Sequence, residues 1–169
     1  MKACFIGHRE IEKNEGLISL LTETVLTLIN NGVKFFLFGS KSDFNDLAWE
    51  VVTKLKEKYP FIKRIYFRSD YQYISKDYED YLLKDYEATY FPPEIEKAGK
   101  YSYVERNYNM IDCATYCVFY YNEKYLPPVK KQSKRDLFIP QRSSSGTKIA
   151  YEYAKRKNKK IINLFTQFN

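Results

Sequence analysis

Short apolar runs alternate with segments of helical period along most of this chain. The runs at 2–6, 33–38 and 116–121 are apolar at most positions, as strands are when both of their faces are buried. The first segment between them repeats apolar side chains at helical spacing, at Leu17, Leu21, Val25 and Leu28. Because parallel sheets covered by helices bury such strands, the alternation predicts an α/β fold.

The pattern of strands and helices indicates one domain. Further strands are predicted at 61–67 and 160–165, and further helices at 43–58, 103–113 and 145–157. We therefore predict a single Rossmann-like domain over residues 1–169, with a mostly parallel sheet of about five strands flanked by helices. Two segments, 68–100 and 122–142, are predicted to be loop insertions, the first with a short helix near 77–85. A connection as long as the first is typical of a functional lid.

Small and polar residues follow the predicted strands. Ligands of open α/β sheets bind at the carboxyl ends of the strands, near the point where the strand order reverses. The segments at such ends are Gly7-His8-Arg9, Gly39-Ser40, the region after Tyr121, and Ser143 to Thr147. His8 and Arg9 are two potential cations there, suited to a phosphate or a carboxylate, although an ordinary exposed turn would have the same sequence.

The stretch Ser143-Ser144-Ser145-Gly146-Thr147-Lys148 stands directly before a helical segment. A helix N-terminus presents free N–H groups and a partial positive charge, so a loop of this kind can hold a phosphate. Ser and Thr are also common at this position as plain helix caps. We favour contact with a phosphorylated ligand, because the loop follows the penultimate predicted strand.

Glu105-Arg106-Asn107 heads another helical segment, which leads to Asp112. An arginine at this place can clamp a phosphate, and Glu105 or Asp112 can serve as a base if the protein is an enzyme. The same spacing suits a solvated helical turn. The candidate ligand-binding residues are Gly7, His8, Arg9, Gly39, Ser40, Arg106, Asn107, Ser143, Ser144, Ser145, Gly146 and Thr147, and the candidate catalytic residues are Arg106, Glu105 and Asp112.

Several classes of protein are excluded by motifs that the sequence lacks. Neither the glycine fingerprint of dinucleotide-binding folds nor a Walker A sequence is present, which excludes ordinary dehydrogenases and P-loop NTPases. The three cysteines, Cys4, Cys113 and Cys117, predict buried thiols rather than a disulfide framework. His8 is the only histidine and lies far from Cys113 and Cys117, so no zinc site is predicted. We expect no metal and no cofactor.

The formal net charge is +7, from 28 Lys and Arg against 21 Asp and Glu. Such an excess favours phosphorylated small molecules or nucleic acid as partners. The codon bias of an AT-rich genome would produce the same composition without any partner. The apolar run before Gly7 is shorter than that of a secretory signal, and no window is long enough to span a membrane. These observations predict a cytoplasmic protein without a membrane partner.

The order of these pieces carries a family resemblance over most of the chain. Glu105-Arg106-Asn107, then Met110 and Asp112, the apolar run at 116–121, and Ser-Gly-Thr at the start of a helix together resemble the SLOG superfamily of LOG, DprA and YpsA-like proteins. Gly146-Thr147 followed by Tyr153-Ala154-Lys155 is most similar to the YpsA-like branch. The resemblance implies a nucleotide-type ligand and a homodimer or higher homo-oligomer.

LOG enzymes in that superfamily are phosphoribohydrolases, which use an arginine and a glutamate. Arg106 matches the arginine, but the glutamate position falls on Ala150, which cannot supply the carboxylate that glycosidic cleavage needs. Glu105, Asp112 or Glu152 would have to replace it. The resemblance therefore implies a ligand pocket more than a catalytic mechanism.

Three functions follow from these observations. The leading hypothesis is a module that binds a nucleotide or nucleotide-derived signal, as SLOG sensors of bacterial and phage defence bind signals made from NAD. The alternative is a phosphoribohydrolase or N-glycosidase acting on a nucleoside monophosphate. The third is binding of single-stranded DNA in the manner of DprA, for which the net charge and the 17 tyrosines offer backbone neutralisation and base stacking.

Overall fold

A computed structural model describes residues 1–39, 41–126 and 145–168. The strands in this part of the chain are β1 (Lys2–Gly7), β2 (Phe35–Phe38), β3 (Lys63–Phe67), β4 (Ala88–Tyr90), β5 (Tyr116–Tyr120) and β6 (Lys160–Asn163). The helices are α1 (Glu15–Asn30), α2 (Asp43–Lys58), α3 (Lys76–Leu82), α4 (Ser102–Cys113), α5 (Gly146–Arg156) and α6 (Leu164–Phe168), and two 3₁₀ turns, Pro93–Lys97 and Gly99–Tyr101, precede α4. The predictions for Ser40, Ser143, Ser144 and residues 127–142 lie outside the described residues.

The strands form one parallel sheet in the order β4-β3-β2-β1-β5-β6, which confirms the predicted α/β class. From β1 the chain moves outward to β4 and then returns to the other side of β1 to form β5. The strand order therefore reverses between β1 and β5. In this class of fold, the crevice beyond the carboxyl ends of those two strands is the usual ligand site.

The sheet has one strand more than predicted. That strand, β4, lies within the segment 68–100, where only a loop and a short helix were expected, and α3 is that helix. β4 is three residues long, and none of its residues is fully buried. Its place in the sheet comes from pairing with β3, at Ile65↔Ala88 and Phe67↔Tyr90. An edge strand of this kind has no apolar period that a sequence could reveal. At the other end of the chain, β6 stops at Asn163 and α6 replaces the last predicted strand residues.

Each face of the sheet has its own apolar core, because successive side chains of a strand point to opposite faces. Phe5 of β1 stacks on Phe36 and Phe38 of β2, with ring centroids 5.9 and 5.2 Å away, in the core under α1 and α2. Cys4 and Ile6 belong to the opposite core, under α4 and α5. Right-handed crossovers place α1 and α2 on one face of the sheet and α4 and α5 on the other, because the chain moves across the sheet in opposite directions in its two halves.

Three further expectations concern cysteines, metals and membranes. The thiols of Cys4 and Cys117 are buried, as expected, whereas Cys113 is exposed at the end of α4, and all three are free. In the described ranges, no group of three or more His, Cys, Asp or Glu side chains is arranged to hold a metal ion. Among the helices described here, none is both long enough and apolar enough to cross a membrane.

Candidate ligand site at the carboxyl edge

Gly7 ends β1 and leaves room for the start of α2. A Cβ atom at position 7 would lie 2.6 Å from Cβ of Phe44, which is buried in the first turn of α2. The N–H of Asp43 donates to the carbonyl oxygen of Arg9 at 2.9 Å, so the turn after β1 is tied to the same helix. The absence of a side chain at Gly7 thus serves packing, and it brings the α2 start beside the end of β1.

His8 lies in the crevice between β1 and β5, with 1% of its surface exposed. Its Nε2 accepts a hydrogen bond from the N–H of Asn122, just after β5, at 2.8 Å. Its ring stacks on Tyr125 with centroids 3.8 Å apart and planes 16° apart. Nε2 also lies 3.2 Å from the carbonyl oxygen of Asn122, but the Asn122 N–H directed at it from 2.8 Å leaves no room for a second proton, so we assign the proton of the neutral ring to Nδ1.

The prediction that His8 supplies a positive charge is therefore wrong near neutral pH. Burial lowers the pKa of His8 from 6.5 to about 4, because the charged imidazolium loses its hydration, and the carbonyl oxygen of Asn122, which would accept from the charged ring, offsets this only in part. Arg9, the second predicted cation, is exposed to solvent. His8 is a neutral donor rather than a phosphate clamp.

Four buried side-chain atoms lack a hydrogen-bond partner in the described part of the chain, and all four belong to residues that follow a strand. They are Nδ1 of His8 after β1, Oδ1 of Asn45 at the start of α2 after β2, Nε of Arg68 after β3, and Oη of Tyr125 after β5. Most buried polar atoms in native proteins have a partner. The carboxyl edge is thus the part of the described molecule where hydrogen-bonding capacity is left unused.

Arg106 is buried on the inner side of α4, with 6% of its surface exposed. Its Nη1 donates to the carbonyl oxygen of Gly39 and, at 3.2 Å, to Oγ of Ser69. Its Nε and Nη2 donate to Oδ1 of Asn107 at 3.3 and 3.1 Å. Burial lowers the pKa of Arg106 to about 10, so the guanidinium stays charged at neutral pH. Arg106 and Asn107 are therefore internal residues rather than part of a solvated turn, and they join the ends of β2 and β3 to α4.

The first turn of α5 has unused N–H donors. The starts of α1, α2 and α3 are capped by the side chains of Asn14, Ser42 and Ser75, which accept from backbone N–H groups at 2.9, 3.2 and 3.2 Å. Ser145 makes no such bond at the start of α5. Among the described residues we find no acceptor for the N–H groups of Gly146, Thr147 and Lys148. α5 leads into a strand parallel to β5, so these groups lie at the carboxyl edge.

Asp112 and Glu105 are not placed with the other candidates. Asp112 is exposed at the opposite end of α4, where it accepts from the Tyr153 hydroxyl at 2.8 Å and pairs with Lys157 at 3.3 Å. The end of α4 precedes β5, so Asp112 lies at the amino edge of the sheet. Glu105 lines a shallow depression on the outside of α4, together with Tyr101, Val104, Tyr108 and residues of the preceding 3₁₀ turn. The Arg106 side chain points inward instead.

An open cleft of about 280 Å³ lies at the ends of β3 and β4. Phe91 and Ile95 give it apolar walls, and Asp70 and Glu96 give it two carboxylates. Ser69 belongs both to this cleft and to the hydrogen bonds of Arg106. The cleft lies in the segment 68–100, which was predicted to be a lid and for which no site residue was predicted.

Sequence reasoning placed the region after Tyr121 at this edge but did not name Tyr121, Tyr125 or Asn163 as site residues. Asn163, at the end of β6, exchanges two hydrogen bonds of 3.0 Å with the backbone of Tyr121 and so fixes the chain as it leaves β5. Tyr121 stacks on Tyr151 of α5 with ring centroids 4.5 Å apart, and its ring lies 5.8 Å from that of His8. In a chain with 17 tyrosines, residue type alone does not single these out. Their place at the end of a strand or in the turn that follows it is the signal that would have identified them.

The structure thus brings Gly7, His8, Gly39, Arg106, Asn107 and the start of α5 to one edge of the sheet. It places Asp112 at the other edge. No protein-family model matches this chain, and no curated protein matches it.

Proposed function

We propose that this protein binds a nucleotide or a nucleotide-derived metabolite at the carboxyl edge of its sheet and serves as a sensing or sequestering module. The observation that carries the proposal is the set of four buried side-chain atoms that have no partner among the described residues, all of which follow strands at that edge. Such atoms cost free energy unless a partner satisfies them, about 1–3 kcal/mol for each group. A polar ligand in the crevice between β1 and β5 would supply partners for the two atoms beside it, Nδ1 of His8 and Oη of Tyr125.

The phosphate of the ligand is assigned to the start of α5. The N–H groups of Gly146, Thr147 and Lys148 have no acceptor among the described residues, and a helix start carries a partial positive charge that attracts anions. Lys148 is exposed beside them and adds a full charge. Arg106 is buried, unlike Lys148, and its hydrogen bonds to Gly39 and Asn107 give it a role in fixing the floor of the site.

Binding without cleavage fits these positions better than hydrolysis does. Of the three acids considered as a base, Asp112 lies at the amino edge, Glu105 faces the outside of α4, and Glu152, with 47% of its side chain exposed, pairs with Lys155 on α5 at 3.6 Å. Ala150, at the position of the hydrolase glutamate, is buried in the core under α5 with 1% of its surface exposed. Cleavage of an N-glycosidic bond needs a carboxylate near the anomeric carbon or the attacking water. We therefore assign retention of an intact ligand.

Membership of the SLOG superfamily is part of this proposal. The parallel sheet and the position of Arg106 over the end of β2 agree with the order of motifs on which the resemblance rests. Sensing of a nucleotide-derived signal in a bacterial or phage defence system is the form of the function that the resemblance suggests.

The experiment is a ligand-retention assay. The protein is incubated with a panel of nucleoside 5′-monophosphates and NAD-derived cyclic nucleotides, desalted, and analysed by native mass spectrometry together with the solution. We expect retention of an intact ligand and no free base. Release of free base would favour the hydrolase, and retention of nothing in the panel would refute the nucleotide proposal.

Two matched variants locate the binding. Thr147→Val removes a hydroxyl from the start of α5 with little change of volume, and we expect it to weaken retention. Thr22→Val is the control, because Thr22 is a half-buried residue of α1 whose hydroxyl bonds within its own helix. Equal retention by both variants would contradict the assignment of α5. Affinity for oligonucleotides that falls steeply with salt would instead favour single-stranded DNA.

A further inference from the structure

We propose that the His8–Tyr125 pair donates two hydrogen bonds to one uncharged acceptor oxygen of the ligand, of the kind carried by oxo-substituted nucleobases. This inference rests on the proposed function and specifies the part of the ligand that lies beyond its phosphate. It assigns the site a preference for bases with a ring carbonyl over bases with an amino group at the same position.

The His8 donor is fixed in identity and direction. The N–H of Asn122 donates to Nε2 at 2.8 Å, closer than the Asn122 carbonyl oxygen at 3.2 Å, which assigns the ring proton to Nδ1, and Nδ1 is buried without a partner among the described residues. The stack on Tyr125 holds the plane of the ring. Because an N–H bond lies in the plane of the imidazole, the acceptor approaches the edge of the ring, which leaves the stacked face covered.

The Tyr125 hydroxyl is the second donor. A short turn directs this ring back over His8, since the N–H of Tyr125 donates to the carbonyl oxygen of Asn122 at 3.1 Å and the N–H of Lys124 donates to Oδ1 of Asn122 at 2.9 Å. Within the described part of the chain, the hydroxyl is buried without a partner, as Nδ1 of His8 is. Two unused donors therefore belong to rings whose centroids are only 3.8 Å apart.

The acceptor is uncharged because the pair offers no charge to balance an anion. His8 is neutral, and its described ring contacts are Tyr121, Tyr125 and the backbone of Asn122. Burying a phosphate among neutral groups would cost far more than two hydrogen bonds return. A carbonyl oxygen has two lone pairs and accepts from both donors, whereas a ring nitrogen has one and an amino group only donates.

Two pairs of nucleotides test the preference. Within each pair, one base carries an oxo group where the other carries an amino group, and the protonation of the ring nitrogen beside that group differs with it. Calorimetry compares IMP with AMP and UMP with CMP. We expect the oxo member of at least one pair to bind at least about tenfold more tightly, as sites built around buried donors reject analogues that lack the acceptor. Binding of oxo and amino members with equal affinity would overturn this inference alone. Binding of none of the four would also overturn this inference, and the nucleotide proposal falls with it if the NAD-derived cyclic nucleotides are not retained either.

The Tyr125→Phe variant keeps the stacked ring and removes the hydroxyl. We expect the oxo preference to fall by at least about threefold, the effect of one lost hydrogen bond. Tyr73→Phe is the matched control, since 86% of Tyr73 is exposed, and it should keep the full preference. An unchanged preference in Tyr125→Phe would refute the role of this hydroxyl.

Nuclear magnetic resonance gives a readout that needs no affinity difference. His8 is the only histidine, so its ring nitrogens give unambiguous signals. We expect the Nδ1–H tautomer in the free protein, and a downfield shift of that proton when IMP or UMP is added. The opposite tautomer, or a ring proton that does not respond to a bound oxo nucleotide, would contradict the proposal.

Discussion

The Arg106 guanidinium reaches the carbonyl oxygen of Gly39 because position 39 has no side chain. A Cβ atom there would lie 2.7 Å from Cδ of Arg106 and 2.9 Å from Sδ of Met110. A glycine predicted to contact a ligand and an arginine predicted to clamp a phosphate thus form one internal contact. The contact ties α4 to the end of β2 and fixes the floor of the carboxyl edge.

The Gly39→Ala variant should be destabilised by about 1–3 kcal/mol, because the added methyl group overpacks the site and displaces Arg106. Urea unfolding measures the change. Gly146→Ala is the control: its Cβ would meet only a Tyr103 ring atom at 3.3 Å, and that side chain is free to move in solvent. Equal stability of Gly39→Ala and the wild type would show that Arg106 does not need this gap.

The Arg106→Lys variant should keep the positive charge and still lose stability, by about 1–3 kcal/mol. A lysine cannot reproduce the fork that reaches Gly39, Ser69 and Asn107 at once, and buried acceptors are left unpaired. Thermal unfolding measures the loss. The control is Lys41→Arg, which exchanges the same two residue types at an exposed position. A charge-only role for Arg106 predicts instead that both variants melt like the wild type.

Stability should fall as the pH drops from 6.5 towards 4, and part of this fall comes from His8. Its pKa is about 4 in the folded protein and near 6.5 when unfolded, so the unfolded chain binds the proton first. The contribution is fully present above pH 6.5 and is lost below pH 4, in total about 3 kcal/mol. His8→Phe removes this term while leaving the carboxylates in place. Parallel pH–stability curves for the two proteins would refute the buried neutral histidine.

The Asp112→Asn variant should bind ligand as the wild type does. Asp112 lies at the amino edge, paired with Lys157 and Tyr153, and solvent-exposed pairs contribute little to stability. The ligand-retention assay provides the measurement, with Thr147→Val as the variant expected to lose ligand. Loss of retention in Asp112→Asn would place the site at the other edge of the sheet.

Much of the fold could be predicted because its strongest signals are local. The apolar run of β5 and the period of α2, which was predicted at 43–58 and spans Asp43–Lys58, depend on neighbours in sequence. β4 could not be predicted, since its three residues belong to the sheet only through pairing with β3. The carboxyl edge was predicted from topology alone, because the ends of parallel strands meet wherever they occur along the chain.

Side-chain roles at that edge were harder to predict. The charge of His8 depends on burial against Tyr125, which lies more than a hundred residues away in sequence. The glycines were interpreted as ligand contacts, whereas Phe44 and Arg106 fill the space beside Gly7 and Gly39. Asp112 follows Arg106 by six residues, which moves it about 9 Å along the helix and to the wrong end of α4.

The most direct test of a ligand site at the carboxyl edge is an amide chemical-shift map of the protein titrated with a nucleoside monophosphate that it retains. We predict that the largest shifts fall on Gly146, Thr147 and Lys148 and on residues around His8. Amides at the amino edge, such as Lys34, Thr115 and Lys159, should stay unchanged. Shifts concentrated on those three residues instead would contradict the account.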